Sequence, residues 1–267
     1  MQGLQGSGWQ APDAAQLIAW VGIWWWPFVR ISAAFWAMPL LGDYQVALRV
    51  RLMLAFLLAL LVAPLHHAAV PHVDPISPAA ALLTGGEILF GLLFGFGVHC
   101  LFWLLGLTGH MLSQQMGLAM AVINDPLHGE SSPVVSELLA LLCGLLFLTM
   151  NGHLVMLDLL VSSLRLWPPG SSLYALGLDQ IWKLVAWCFA GGLSLAFPAV
   201  FAMLLVNLAF GVMNRTAPAF NIFSLGFPMA MLIGLFALLL TLSGIPNRYL
   251  DLVEQLIGAL SSLIGGH

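Results

Sequence analysis

Residues 79–108 read AAALLTGGEILFGLLFGFGVHCLFWLLGLT, thirty positions in which Glu87 is the one charged side chain. A helix of about 20 apolar residues crosses about 30 Å of hydrocarbon. This stretch is longer than that, so it calls for tilt, a kink or an end that projects beyond the lipid. Apolar on all sides, it reads as a helix enclosed by lipid or by protein.

Five more apolar runs lie around it, at Leu17–Met38, Val46–Leu65, Val134–Val161, Ile181–Phe210 and Ile222–Leu242. Turn formers separate them, at Pro39–Tyr44, His66–Pro78, Asn124–Pro133, Trp167–Asp179 and Asn214–Asn221. From Ile245 to Ile264 apolar positions alternate with Asp251, Glu254 and Gln255 at helical spacing, which predicts a short amphipathic helix. The composition agrees: of 267 residues 61% are hydrophobic and 7% charged, with a mean hydropathy of +1.01, whereas soluble domains are about 25% charged. The expectation is an all-α, polytopic membrane protein of about six long apolar helices in a single domain, residues 1–267. Pro198 predicts a kink in the fifth run.

Several function classes fall away. Seven Lys and Arg against eleven Asp and Glu leave a net charge of -4, which supplies no basic field for nucleic acid. Cys100, Cys143 and Cys188 are far apart within apolar runs and read as small buried hydrophobes. The histidines, His66, His67 and His72 in one loop and His99, His110, His128 and His153 elsewhere, carry no metal-ligand spacing. No Ser-His-Asp order, phosphate loop or GxSxG elbow is present, so neither an enzyme nor a bound cofactor is expected. Met1–Gln16 lacks the basic and apolar parts of a cleavable signal. Basic residues flanking the runs divide three against three and leave the orientation open.

Charges inside apolar runs need partners. A charged side chain at mid-helix costs about 2.5–3.5 kcal/mol on insertion scales. Glu87 and Asp158 lie near the ends of their runs, where hydration is adequate, but Arg30 lies deeper. Two readings stand for Arg30: it reaches a headgroup, or it pairs with Glu87 and fixes how the first and third helices dock. Gly91, Gly95 and Gly97 offer a face that another helix backbone can approach.

Two polar, proline-containing breaks follow the longest runs. The first spans Ser113–Pro126 and holds Gln114, Gln115, Met116, Gly117, Leu118, Ala119, Met120, Asn124, Asp125 and Pro126. The second spans Asn207–Asn221, with Gly211, Asn214, Arg215 and Pro218 between. Irregular backbone at this depth is enclosed by protein or lines a cavity. Met111, Met116 and Met120 beside Gly117 suit a deformable seal, and equally suit ordinary helix packing. Paired breaks also mark solute sites in secondary transporters, although few polar side chains are available here to hold a solute.

The order of motifs adds a resemblance. Arg30–Pro64 with Pro39 and Arg51, Glu87-Ile88-Leu89-Phe90-Gly91, the Gln-Met-Gly-Leu-Ala-Met-Ala stretch from Gln115, Asn124-Asp125-Pro126, Asn151-Gly152-His153 and Gly211-Val212-Met213-Asn214-Arg215 cover nearly the whole chain. Together they resemble the FliR family of flagellar biosynthetic proteins and its type III secretion counterparts, the T subunits of the export gate. The resemblance implies an inner-membrane subunit of the flagellar basal body. Its partners would be the P-type and Q-type gate proteins and the B-type switch protein, and unfolded secreted proteins would pass through the assembly. It further implies that the loop matching Gln114–Ala121 plugs the closed pore, and that helices pack on partner subunits as well as on lipid. The second break, with Asn207, Asn214, Arg215, Pro218 and Asn221, then bends or pins the late helices. One departure is Ala219, where the family usually carries Gln after the proline.

Overall fold

The computed structural model describes residues 14–42, 46–65, 73, 77–118, 133–171, 178–216 and 222–265. All regular structure among them is helical. In order the helices are α1 (Ala14–Ala37), α2 (Pro39–Gly42), α3 (Leu48–Val62), α4 (Pro78–Gln115), α5 (Val134–Thr149), α6 (Gly152–Leu166), α7 (Leu178–Thr216) and α8 (Ile222–Gly265).

The quoted stretch becomes the interior of α4. Its start is encoded locally: the Ser77 hydroxyl accepts the Ala80 amide at 3.2 Å, and Pro78 stands at the first helical position, where no amide donor is missed. At 38 residues α4 is about 57 Å long at 1.5 Å per residue. It packs against α1, α5, α7 and α8. Phe90, Phe94, Leu101, Leu104, Leu105 and Leu112 are buried along it, which accounts for its apolarity on all sides.

Helix α1 approaches α4 at backbone distance. A Cβ on Gly91 would strike the Arg30 carbonyl and stand 2.8 Å from Ala33 Cβ. One on Gly95 would stand 2.5 Å from both the Ala34 carbonyl oxygen and Ala37 Cβ. Small residues on both helices thus make the seam. Gly97 faces α8 instead, with Leu260 methyls 3.3 Å from the position of a Cβ.

The apolar runs and the helices differ in instructive ways. The second run yields α3, only 15 residues, about 22 Å and short of the hydrocarbon thickness. The fourth run is not one rod: it breaks at Met150–Asn151 into α5 and α6, whose axes differ by 69°. Asn151 takes the left-handed conformation (φ 57°), which Asn tolerates better than most residues, and its amide closes α5 on the Leu148 carbonyl at 3.2 Å. The fifth run continues as helix through Pro198. The sixth run and the expected amphipathic helix are one element, α8, continuous through Pro228 and Pro246. Its second half has the expected two faces, with Ile245, Tyr249, Leu252, Leu256 and Leu260 buried and Asp251, Glu254 and Gln255 exposed. Among the described residues three helices are long and apolar enough to cross a membrane, or four if α5 and α6 count as one span.

Because the Gly95 seam is backbone against backbone, Gly95→Val is expected to lower stability by at least about the 1–3 kcal/mol typical of overpacking. Gly85, with nothing within 4 Å of its Cβ position, is the control. Equal melting temperatures in detergent for Gly95→Val and Gly85→Val would refute the close approach.

Candidate functional site

Two polar sites stand out among the described residues, one buried and one at the partly exposed end of α4. At the first, Arg30 of α1 is wholly enclosed. Its Nε donates to Glu87 Oε2 of α4 at 2.7 Å. Nη1 donates to Ser163 Oγ at 3.3 Å and Nη2 to the Trp167 carbonyl at 2.9 Å. The guanidinium carbon lies 4.9 Å from the Phe90 ring centroid, and Phe90 in turn lies 5.0 Å from Trp167. Trp167 is the C-cap of α6, so the cation sits at the negative end of that helix. One side chain therefore joins α1, α4 and α6, and Glu87 is neutralised where water does not reach it. Ser163 and Trp167 were not singled out from sequence. Nothing in their spacing points to residue 30, more than a hundred positions away.

At the second site α4 ends. Met116 caps it, Gly117 is left-handed (φ 74°), the Gly117 amide donates to the Gln114 carbonyl at 3.2 Å and the Leu118 amide to the Ser113 carbonyl at 3.1 Å. This is the Schellman arrangement, which Gly favours because it lacks a Cβ. A glycine directly after an apolar helix is a readable stop signal, so the backbone role of Gly117 was available in the sequence. Met116 is buried against Gly234 of α8, and the Phe227 ring stands 3.2 Å from the Cβ position of Gly117. The Asn207 side-chain amide of α7 donates to Gln115 Oε1 at 3.2 Å. Gln114 Nε2 lies 3.3 Å from His110 Nε2.

Residues near the start of the two sequence breaks thus meet, Gln115 with Asn207, but the second break begins later than expected. Asn207, Gly211, Asn214 and Arg215 are all helical, and α7 runs to Thr216. The intervening Leu208, Ala209, Phe210, Val212 and Met213 sustain the helix, and Thr216 Oγ1 donates to the Val212 and Met213 carbonyls at its end. Gly211 has open space at its Cβ position, and Arg215 is exposed. Ala119, Met120, Asn124, Asp125, Pro126, Pro218, Ala219 and Asn221 lie outside the described residues, as does the side chain of Asn214. Among the described residues no three His, Cys, Asp or Glu side chains group as metal ligands.

A bundle of long apolar helices tied by a buried ion pair, with a helix end seated on two later helices, is the frame of an integral membrane component. Residues 21–256 match the model of bacterial export proteins, family 1. The chain belongs to that family. It is 35% identical over 257 residues to the flagellar biosynthetic protein FliR of Pectobacterium carotovorum subsp. carotovorum, covering 92% of this chain and 97% of the relative. To FliR of Escherichia coli (strain K12) it is 34% identical over 226 residues, 82% and 84% of the two chains. To FliR of Bacillus subtilis (strain 168) it is 28% identical over 220 residues, 81% and 84%.

Removing one member of a buried pair strands the other charge, so Arg30→Met is expected to destabilise the protein by about 3–5 kcal/mol. Arg30→Met combined with Glu87→Leu should recover most of that loss. Thermal melting of the three proteins in detergent checks it, and a double variant no more stable than Arg30→Met would contradict the pairing.

Proposed function

We propose that the protein is a non-enzymatic subunit of the flagellar type III protein export gate in the bacterial cytoplasmic membrane. Unfolded flagellar proteins would pass through the assembled channel, and the segment Gln114–Met120 would seal it when closed.

The observation that carries this reading is a mismatch of length and cover. Within α7, the span Ile181–Met213 covers 33 helical residues whose one charged side chain, Lys183, stands near its start, and within α8 the span Gly226–Ser262 covers 37, apolar as far as Pro246 and amphipathic beyond it. These are about 50 and 55 Å long, against about 30 Å of hydrocarbon. Even at a tilt of about 40°, the upper end of the usual range, the shorter one still rises about 38 Å. In the most apolar window of α4 67% of residues are buried within the chain, but only 17% and 28% are buried in those of α7 and α8. Leu193, Phe197, Phe201, Leu204, Leu208 and Val212 are among the apolar side chains exposed along α7. Apolar surface that overruns the lipid needs protein to cover it. Helices of P-type and Q-type gate subunits are suited to that cover, and the B-type switch protein is a further expected neighbour.

The seal reading draws on the second site. A loop that leaves a buried helix through a defined glycine turn, between Met116 and Met120, combines a fixed anchor with pliable thioether side chains. Asn207, Gly211, Asn214, Arg215, Pro218 and Asn221 would bend or pin the late helices beside it.

Co-expression with the P-type and Q-type proteins is expected to yield one detergent-resistant complex on affinity purification. A stable solitary chain that binds a small solute would favour a transporter instead. Replacing Gly117 by Asp should raise ion leak through the resting gate while leaving the amount of complex unchanged. Unaltered leak and secretion in that variant would remove the seal assignment.

A further inference from the structure

The end of α4 meets α8 at a point where α8 carries no side chain. A Cβ on Gly234 would collide with Met116 Cγ, and would stand 3.0 Å from Sδ and 3.2 Å from Cε. Gly in a helix interior is about 1 kcal/mol worse than Ala, and Gly234 is not among the residues of positive φ. The α8 backbone therefore gives no reason for it, whereas the Met116 side chain does. Met116 is only 3% exposed, while Gln114 beside it is exposed.

The neighbouring residues are held from other directions. Gln115 accepts from Asn207 on α7, and the Cβ position of Gly117 abuts Phe227, two helical turns before Gly234 on α8. Three consecutive residues, Gln115, Met116 and Gly117, thus have three separate partners. The Schellman hydrogen bonds tie the chain after Gly117 to the last turn of α4. Whatever sets the rotation of that turn also sets the direction in which the chain departs.

We propose that Gly234 is a positioning residue for the gate loop: it receives the Met116 side chain and thereby aims the segment that follows Gly117. This rests on the reading of that segment as a seal. A side chain at 234 evicts Met116 and turns the end of α4, and with it the direction in which the chain leaves Gly117.

The test is made in the assembled complex. Gly234→Val is expected to raise resting ion leak several-fold, and adding Met116→Ala should return it to the wild-type level, because the smaller side chain vacates the volume that Val fills. Gly244→Val, at an open α8 position, should leave the leak unchanged. Independently of leak, and even where the valine variant fails to assemble, the pair Met116→Cys with Gly234→Cys should form a disulfide on mild oxidation. A leak that Met116→Ala does not reverse overturns the inference, as does failure of that cross-link. A tight Gly234→Val gate alongside a leaking Gly117→Asp gate overturns it while leaving the seal reading in place. Tight gates in both variants overturn the two together.

Discussion

The Arg30–Glu87 ion pair is the constraint around which the other packing is arranged. A buried charge is tolerable only when its partner is held at hydrogen-bond distance, and that requirement fixes the rotation and depth of α1 on α4 together. The seam below it obeys the same demand. With the guanidinium at Glu87, the Arg30 carbonyl falls against Gly91, and one turn further Ala34 and Ala37 fall against Gly95. A larger residue at either glycine would hold the backbones apart and break the 2.7 Å contact. The charge pair and the small-residue stripe are one device: the first specifies register, the second permits the distance.

The same pair ties in the bent segment. By donating to the Trp167 carbonyl, Arg30 satisfies an acceptor at the end of α6 that the helix itself leaves open. The turn at Asn151 sends α6 away from the line of α5, and the Arg30 contact gives the far end of α6 a defined place. Deep polar contact here organises three helices, whereas the outward faces of α7 between Leu184 and Met213 and of the first half of α8 are mostly apolar.

Much of this was readable in one dimension. Helix positions followed from hydropathy, because a chain with 7% charged residues leaves few alternatives. The juxtaposition of Arg30 with Glu87 could be framed as a hypothesis because so few other charges were present to answer them. What escaped was whatever depends on local backbone conformation or on distant partners. The split at Asn151 coincides with Asn151-Gly152-His153, a polar dip too short to end the apolar run. The helical state of Asn207–Arg215 was obscured by Asn and Gly, which lower helix propensity without forbidding helix. Gly234 looked like any other glycine in an apolar run, and its relation to Met116 appears only when α8 is laid beside the end of α4.

The bend between α5 and α6 also alters how far that segment reaches. Laid end to end, its 16 and 15 residues would make a rod of about 46 Å. With the axes 69° apart, α6 advances only about 8 Å along the direction of α5, so the pair together climbs about 32 Å. That is close to the hydrocarbon thickness. A single left-handed asparagine thus brings the reach of this bent pair close to the hydrocarbon thickness, which α4, α7 and α8 each exceed in length.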